Sequence, residues 1–180
     1  MAPQGVAFPI EGGCDCGEVR YAMMTEPMIV HCCHCRWCQR ETGASFALNA
    51  MIETDRLKLL KKEPEWITVP SESGAGQSIA RCPRCKIAVW SVYLNNTTNV
   101  KERIRIVRVG TLDNPDVLPP NAHIWASEKQ PWIILSDKVP IYQDERYNAE
   151  DVWSKESLER RRGAEASEGA TQQHLPNQTH

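Results

Sequence analysis

Short apolar runs separated by turn-forming residues dominate the chain up to about residue 110. Eight segments, 18–24, 27–33, 45–52, 57–61, 66–70, 77–81, 87–94 and 104–110, carry the pattern expected of strands. The clearest is IRIVRVG (104–110), which sets Ile104, Ile106 and Val109 against Arg105 and Arg108; SFALNAMI (45–52) also alternates. Gly12-Gly13, Thr42-Gly43, Glu63-Pro64, Ser73-Gly74 and Asn95-Asn96 supply the breaks between them. Strands this short, spaced at about ten residues, predict a mainly β domain built of small sheets. The stretch NPDVLPPNAHIW (114–125) is too rich in proline for regular structure and reads as an ordered loop. Helical spacing is confined to AEDVWSKESLERRR (149–162), where Val152, Trp153 and Leu158 form a loose apolar face and the basic residues sit at the C-terminal end. Gly163 is expected to stop that helix, and the polar residues after it read as a solvated tail. No internal repeat is visible, and no linker divides 8–145.

Composition narrows the class. The chain has 180 residues, 41% hydrophobic and 24% charged, which suits one soluble domain with a tail. Its 21 basic and 23 acidic residues leave a net charge of −2, so nothing suggests general attraction to nucleic acid or to an anionic membrane. No apolar run approaches the roughly 20 residues needed to cross a bilayer. The opening MAPQGVAFPIEGGC lacks the basic and apolar regions of a secretory signal, and a cytoplasmic location is expected. Oligomeric state leaves no trace in the pattern.

The eight cysteines change the picture most, because they fall into three clusters: Cys14 and Cys16; Cys32, Cys33, Cys35 and Cys38; Cys82 and Cys85. Clustered thiols in a reducing compartment point to metal before disulfide. In an extended segment residues i and i+2 share a face, so Cys14 and Cys16 can reach one ion, and Cys82-Pro83-Arg84-Cys85 has the spacing of a zinc knuckle. Together they offer four thiolates, a closed tetrahedral set of structural type. In HCCHCRWC (31–38), Cys33 and Cys35 share a strand face, Cys38 returns through a turn at Arg36-Trp37, and Cys32 points the other way as a buried apolar thiol. Three thiolates with an open position have the layout of a catalytic zinc, unless Cys32, His31, His34 or His123 closes the set. A sulfur-rich, open site suits an incoming thiol, which coordination would hold as thiolate. The faint likeness of CGE (16–18) and CPRC (82–85) to zinc deaminase elements fails, because it leaves Cys14 and the 33–38 cluster unexplained.

With these motifs in hand, the sequence resembles the glutathione-dependent formaldehyde-activating enzyme (GFA) family, which includes the centromere protein V group. The resemblance rests on GGCDCGEVRY (12–21), HCCHCRWCQRETGASF (31–46), RCPRCKIAVW (81–90), GTLDNPD (110–116) and HIWASEKQPW (123–132), in family order over roughly 10–140. It implies a β-tent fold of small antiparallel sheets, a structural zinc on Cys14, Cys16, Cys82 and Cys85, and a catalytic zinc on Cys33, Cys35 and Cys38. The implied activity is condensation of glutathione with formaldehyde, classed as a carbon–sulfur lyase. The chain then divides into an N-terminal arm (1–9), a GFA-like zinc domain (10–145), a helical extension (146–163) resembling that of fungal-type members, and a polar tail (164–180). Two departures stand out: Lys86 replaces the glycine usual after the second cysteine pair, which should alter the turn, and Cys32 is additional.

Around the metal, His123 is a candidate proton shuttle, Glu41 a candidate general base, and Arg36 a candidate partner for the anionic zinc–thiolate unit or a substrate carboxylate. Trp37 and Trp125 are candidates for the substrate wall, and Asp113 for capping a turn. The leading expectation is a two-zinc enzyme making or breaking a C–S bond on a thiol or thiol adduct, with glutathione one such thiol. The alternatives are the same fold redirected to another small molecule in secondary metabolism, a zinc-stabilised binding module without turnover, and redox sensing by the Cys32–Cys33 pair.

Overall fold

A computed structural model describes residues 6–71, 74–94 and 103–166. Ten strands and two α-helices run in the order β1 (Ile10–Gly13), β2 (Arg20–Met23), β3 (Ile29–Cys33), α1 (Arg36–Thr42), β4 (Ala47–Glu53), β5 (Leu57–Leu59), β6 (Glu65–Val69), β7 (Gln77–Arg81), β8 (Ala88–Tyr93), β9 (Ile104–Arg108), β10 (Ala122–Ile124) and α2 (Lys155–Ala166). They form a three-stranded sheet, β1-β2-β5, and a seven-stranded sheet, β10-β3-β4-β9-β8-β7-β6. The mainly β expectation is met, and all eight expected strands are present. Pairing is antiparallel except between β10 and β3, which run parallel. Ser73, Asn95, Asn96 and the tail from 167 onward lie outside the described residues.

Four expectations are corrected, each for a local reason. Gly12-Gly13 is not a turn but part of β1, paired with Tyr21 and Arg20. A Cβ on Gly12 would lie 2.6 Å from the Thr111 carbonyl oxygen and 2.7 Å from the Tyr21 hydroxyl, so close packing rather than a bend requires the glycine there. The proline-rich 114–125 segment contains a strand after all: once past Pro119-Pro120, residues 122–124 extend and pair with 31–33. Between Cys35 and Cys38 the chain makes a helix, α1, not a simple turn. The Cys35 thiol caps it by accepting the Cys38 N–H at 3.3 Å, and Gly43 ends it at φ +67°. Gly163 does not stop α2, which continues to Ala166 while Arg103 donates to the Ala164 carbonyl at 3.3 Å and Arg161 pairs with Glu165 at 2.9 Å.

The main core includes Tyr21, Met23, Ile52, Val89, Trp90, Val107 and Leu118, and Cys14 and Cys82 belong to it. Tyr21 is fully buried and its hydroxyl is satisfied by Thr111 at 2.7 Å. Alternation in β9 is incomplete: Arg108 is buried alongside Ile106, where its guanidinium donates to Asn49 Oδ1 at 2.5 Å and to Glu41 at 2.9 Å. Asp113 accepts two hydrogen bonds from Arg20, at 2.6 and 2.5 Å, and its N–H donates to the Glu11 carbonyl. A separate apolar cluster of Met28, Ile29, Ile104 and Trp153 seats the C-terminal segment on the large sheet.

Candidate functional site

The fold gathers Cys14, Cys16, Cys82 and Cys85 so that their sulfurs all lie within 4.8 Å of one another. Cys14 Sγ and Cys16 Sγ are 3.5 Å apart, and Cys16 Sγ and Cys82 Sγ 3.6 Å. Four thiolates around one zinc at Zn–S near 2.3 Å would be separated by about 3.8 Å, so the spacing fits a tetrahedral ion. Backbone N–H groups of Val19 and Arg84 point at Cys14 Sγ and Cys82 Sγ, at 3.3 and 3.4 Å; at Cys14, against the cost of burial, the Val19 bond helps to lower the thiol and favours its thiolate form. Lys86 itself takes the left-handed conformation, φ 63°, and its N–H closes the knuckle on the Cys82 carbonyl at 3.0 Å.

The second set is Cys33, Cys35 and Cys38, again with all sulfurs within 4.8 Å. Cys33 ends β3, Cys35 is the extended cap residue and Cys38 lies in the first turn of α1, so strand and helix present the three thiols together. All three are buried. Hydrogen bonds from Cys33 and Cys38 hold Cys35 down at about 3, whereas Cys33, giving its proton to that bond, is pushed far above the ordinary thiol value. One negative charge is thus comfortable in the cluster and further ones are not. A bound divalent cation is the natural remedy, and the residues fit one.

Cys33 and Cys35 line the wall of a cleft of about 450 Å³, the size of a small-molecule site. Trp37 from α1 and Trp125 at the end of β10 also line it, as does His31. His31 is two residues before Cys33 in β3 and therefore on the same face. Its Nε2 lies 2.6 Å from the Tyr147 hydroxyl, which also accepts the Trp153 indole N–H at 2.7 Å. Burial, assisted by the charge of Arg161, lowers His31 to about 4 and keeps it neutral.

The remaining expected residues lie elsewhere. His123 pairs in register with Cys32, one residue out of phase with Cys33, so it faces the other side of the sheet. There it forms a buried group with Cys32 and His34: His34 Nε2 is 3.0 Å from His123 Nδ1 and 3.5 Å from Cys32 Sγ. Burial lowers His123 and takes His34 to about 4, and it raises Cys32 to about 12, so this group is neutral. Neither His123 nor Cys32 lines the cleft. Glu41, half-buried with its side chain only 6% exposed, is held between Arg81 and Arg108 and ties α1 to β7 and β9. Arg36 is exposed; its side chain donates to Gln39 at 2.9 Å and its N–H to Glu128 at 2.5 Å.

Sequence reasoning overlooked His31 as part of the wall, although its i, i+2 relation to Cys33 was available. It also overlooked Tyr147, Trp153 and Arg161, which reach the cleft from more than a hundred residues away and carry no local signal. No helix among the described residues is long and apolar enough to cross a membrane.

Comparison with known proteins agrees with the cysteine pattern. The family model for glutathione-dependent formaldehyde-activating enzyme matches residues 9–128, a stretch that holds all seven clustered thiols of both sets. A crystal structure of a Rhodobacter sphaeroides protein is similar at a TM-score of 0.40 and 18% identity, covering 59% of this chain and 93% of that one. None of the curated proteins matches. The chain belongs to the glutathione-dependent formaldehyde-activating enzyme family.

Proposed function

We propose that this protein is a zinc enzyme that makes or breaks a carbon–sulfur bond on a thiol or thiol adduct, with two zinc ions per chain. The reading assigns a structural ion to Cys14, Cys16, Cys82 and Cys85, and a catalytic ion to Cys33, Cys35 and Cys38. Its main support is that the second set stops at three thiols among the described residues and borders a cleft. When bound, zinc supplies a soft Lewis acid that favours the thiolate form of a substrate thiol at neutral pH.

The protein's own groups do the rest. In the forming direction the substrate sulfur attacks a carbonyl carbon, the C=O π pair moves onto oxygen, and the proton released by the thiol ends on that oxygen. His31, neutral and hydrogen-bonded to Tyr147, lies on the cleft wall where a proton has to be held and handed on. Trp37 and Trp125 keep water from the reacting carbon. Glutathione with formaldehyde is the first substrate pair to assay, because it is the pair the family description names. The eight cysteines are all free, which suits the reducing cytoplasm.

Cys35→Ser is the test. Metal analysis should find close to one zinc fewer per chain, the circular dichroism of the fold should remain, and formation of the glutathione–formaldehyde adduct above the uncatalysed rate, followed by NMR, should vanish. Full turnover in a folded Cys35→Ser chain would end this reading.

A further inference from the structure

The family-matched segment ends at residue 128, yet the cleft does not. Its far wall is built by Glu145, Tyr147, Ala149, Trp153 and Arg161. This segment is firmly docked. Trp153 is buried among Met28, Ile29 and Ile104, Tyr147 stacks on Tyr142 with centroids 4.7 Å apart, and Arg160 makes paired hydrogen bonds to Glu53 at 2.7 and 2.6 Å. The extension is therefore part of the site's architecture, and what it adds chemically can be read from its side chains.

Five aromatic side chains, Trp37, Tyr93, Trp125, Tyr147 and Trp153, face a space in which Arg161 is the one arginine or lysine among the described lining residues. Arg161 is held in place: its guanidinium lies over the Trp153 ring at 5.2 Å, and its Nε donates to Glu165 at 2.9 Å. Among the described residues that leaves its terminal nitrogens for a ligand. Trp37, which lines the cleft, has a buried indole N–H with no protein partner. Glutathione, with two carboxylates, an ammonium and two amides on a flexible chain, asks for several polar anchors and has little use for five rings. Of the other polar lining groups, His31 is paired with Tyr147 and Asn49 with Arg108, and the Glu145 carboxylate disfavours a second anionic group, so a flat apolar body with a single anionic group matches the inventory better.

We propose that the cleft binds a planar aromatic carboxylate that also carries an aldehyde or ketone group, its ring held between the tryptophan and tyrosine walls, its carboxylate on Arg161, and its carbonyl carbon the one that the substrate sulfur attacks. The proposal rests on the zinc-enzyme reading for the reacting end and adds the substrate class. It makes residues 145–161 the specificity element of the enzyme, and Arg161 the anchor that sets the substrate's direction relative to Cys33 and Cys35.

The experiment uses the full, zinc-loaded chain, with 2-naphthoate as probe and 2-naphthalenemethanol as its uncharged counterpart, titrated by calorimetry. The native protein should bind both, the acid more tightly. Arg161→Gln should weaken naphthoate about tenfold or more, the loss of charge-assisted hydrogen bonds, and leave the alcohol within about twofold. Trp37→Leu should weaken both. Naphthoate that fails to bind, or binds equally well to Arg161→Gln, overturns the proposal. Glutathione–formaldehyde turnover and zinc content, measured on the same preparations, separate the two readings. Glutathione–formaldehyde turnover without naphthoate binding defeats the aromatic substrate and leaves the enzyme reading, whereas Arg161-dependent naphthoate binding in a chain that turns over neither formaldehyde nor 6-formyl-2-naphthoate with glutathione defeats the enzyme reading, and the substrate role with it, and leaves the aromatic carboxylate site.

Discussion

Two sets of converging thiols sit in one small protein, and their neighbours differ more than their sulfurs do. The four-thiol set draws its members from residues 14 to 85, and two of them lie in the main core. The three-thiol set comes from six consecutive positions on one strand–helix corner, and its members pack against Trp37, Trp125, Tyr142 and Tyr147 beside a cleft. An ion in the first closes a long loop and fastens the N-terminal strand to the β7–β8 turn. An ion in the second closes almost nothing, because β3 and α1 already hold the thiols together. Ligand count alone hints at structural against catalytic, but loop span and surroundings supply the physical reason. On the proposed reading, one site should be lost only with the fold, and the other should be emptied while the fold survives.

The largest effect follows from that contrast. Cys82→Ser leaves three thiols and a hydroxyl where the core needs a closed, neutralised site, and metal binding of this kind is folding free energy on the order of 10 kcal/mol. That exceeds the stability of most domains. The variant should fail to fold cooperatively in a thermal melt followed by circular dichroism, in contrast to the folded Cys35→Ser chain. Equal melting curves for the two variants would erase the distinction between the sites.

Between the two sets lies Glu41, and its substitution sharpens the boundary. Glu41 follows Cys38 on α1 and pairs with Arg81, the residue before Cys82, and with Arg108; the Arg108 pair is buried and Arg81 is half-buried. It links the two regions by charge and does not face the cleft. Removing one partner of a buried ion pair costs about 3–5 kcal/mol, and for a chain of this size each kcal/mol moves the melting point by about 2–4 °C. Glu41→Gln should therefore melt roughly 10 °C lower while turnover per folded, zinc-loaded molecule stays near the native level. An unchanged melting point with abolished turnover would restore Glu41 as a general base.

The same contrast explains what was legible in the sequence. The cysteine spacings carried both thiol sets, because C-x-C on a strand and C-x-x-C in a turn are local geometries with few alternatives. Eight strands were legible for the same reason. The strands that were missed, 10–13 and 122–124, are short and exist through their partners: Gly12 is there because Tyr21 and Thr111 press on it, and 122–124 extend because β3 offers an edge. Helix α1 has only seven residues and is capped by a thiol, a signal that reads first as a metal ligand. His123 illustrates the limit for the site itself. Its distance from Cys33 in sequence says nothing about strand phase, and a shift of one residue in the parallel register decides which side of the sheet it faces.

The smallest prediction compares backbone strain at the two sites. Among the described residues only Lys86 and Trp125 combine a side chain with a positive φ, 63° and 57°, one beside each thiol set. At Lys86 the left-handed conformation costs roughly 1 kcal/mol or more. Glycine would remove that cost, but it adds chain entropy to the unfolded state worth about 0.4–1 kcal/mol and forfeits the exposed Lys86–Glu65 pair. Lys86→Gly should thus raise the melting point by no more than about 3 °C, with turnover unchanged, while Lys86→Val, whose branched side chain resists φ > 0, should lower it. Trp125 holds the same conformation while its ring lines the cleft. Trp125→Gly relieves similar strain but also deletes a ring packed against the three-thiol cluster, so it should melt below the native protein and lose turnover. If Lys86→Gly impaired turnover as much as Trp125→Gly does, the four-thiol knuckle would be coupled to the cleft, and the division between clamp and active site would have to be redrawn.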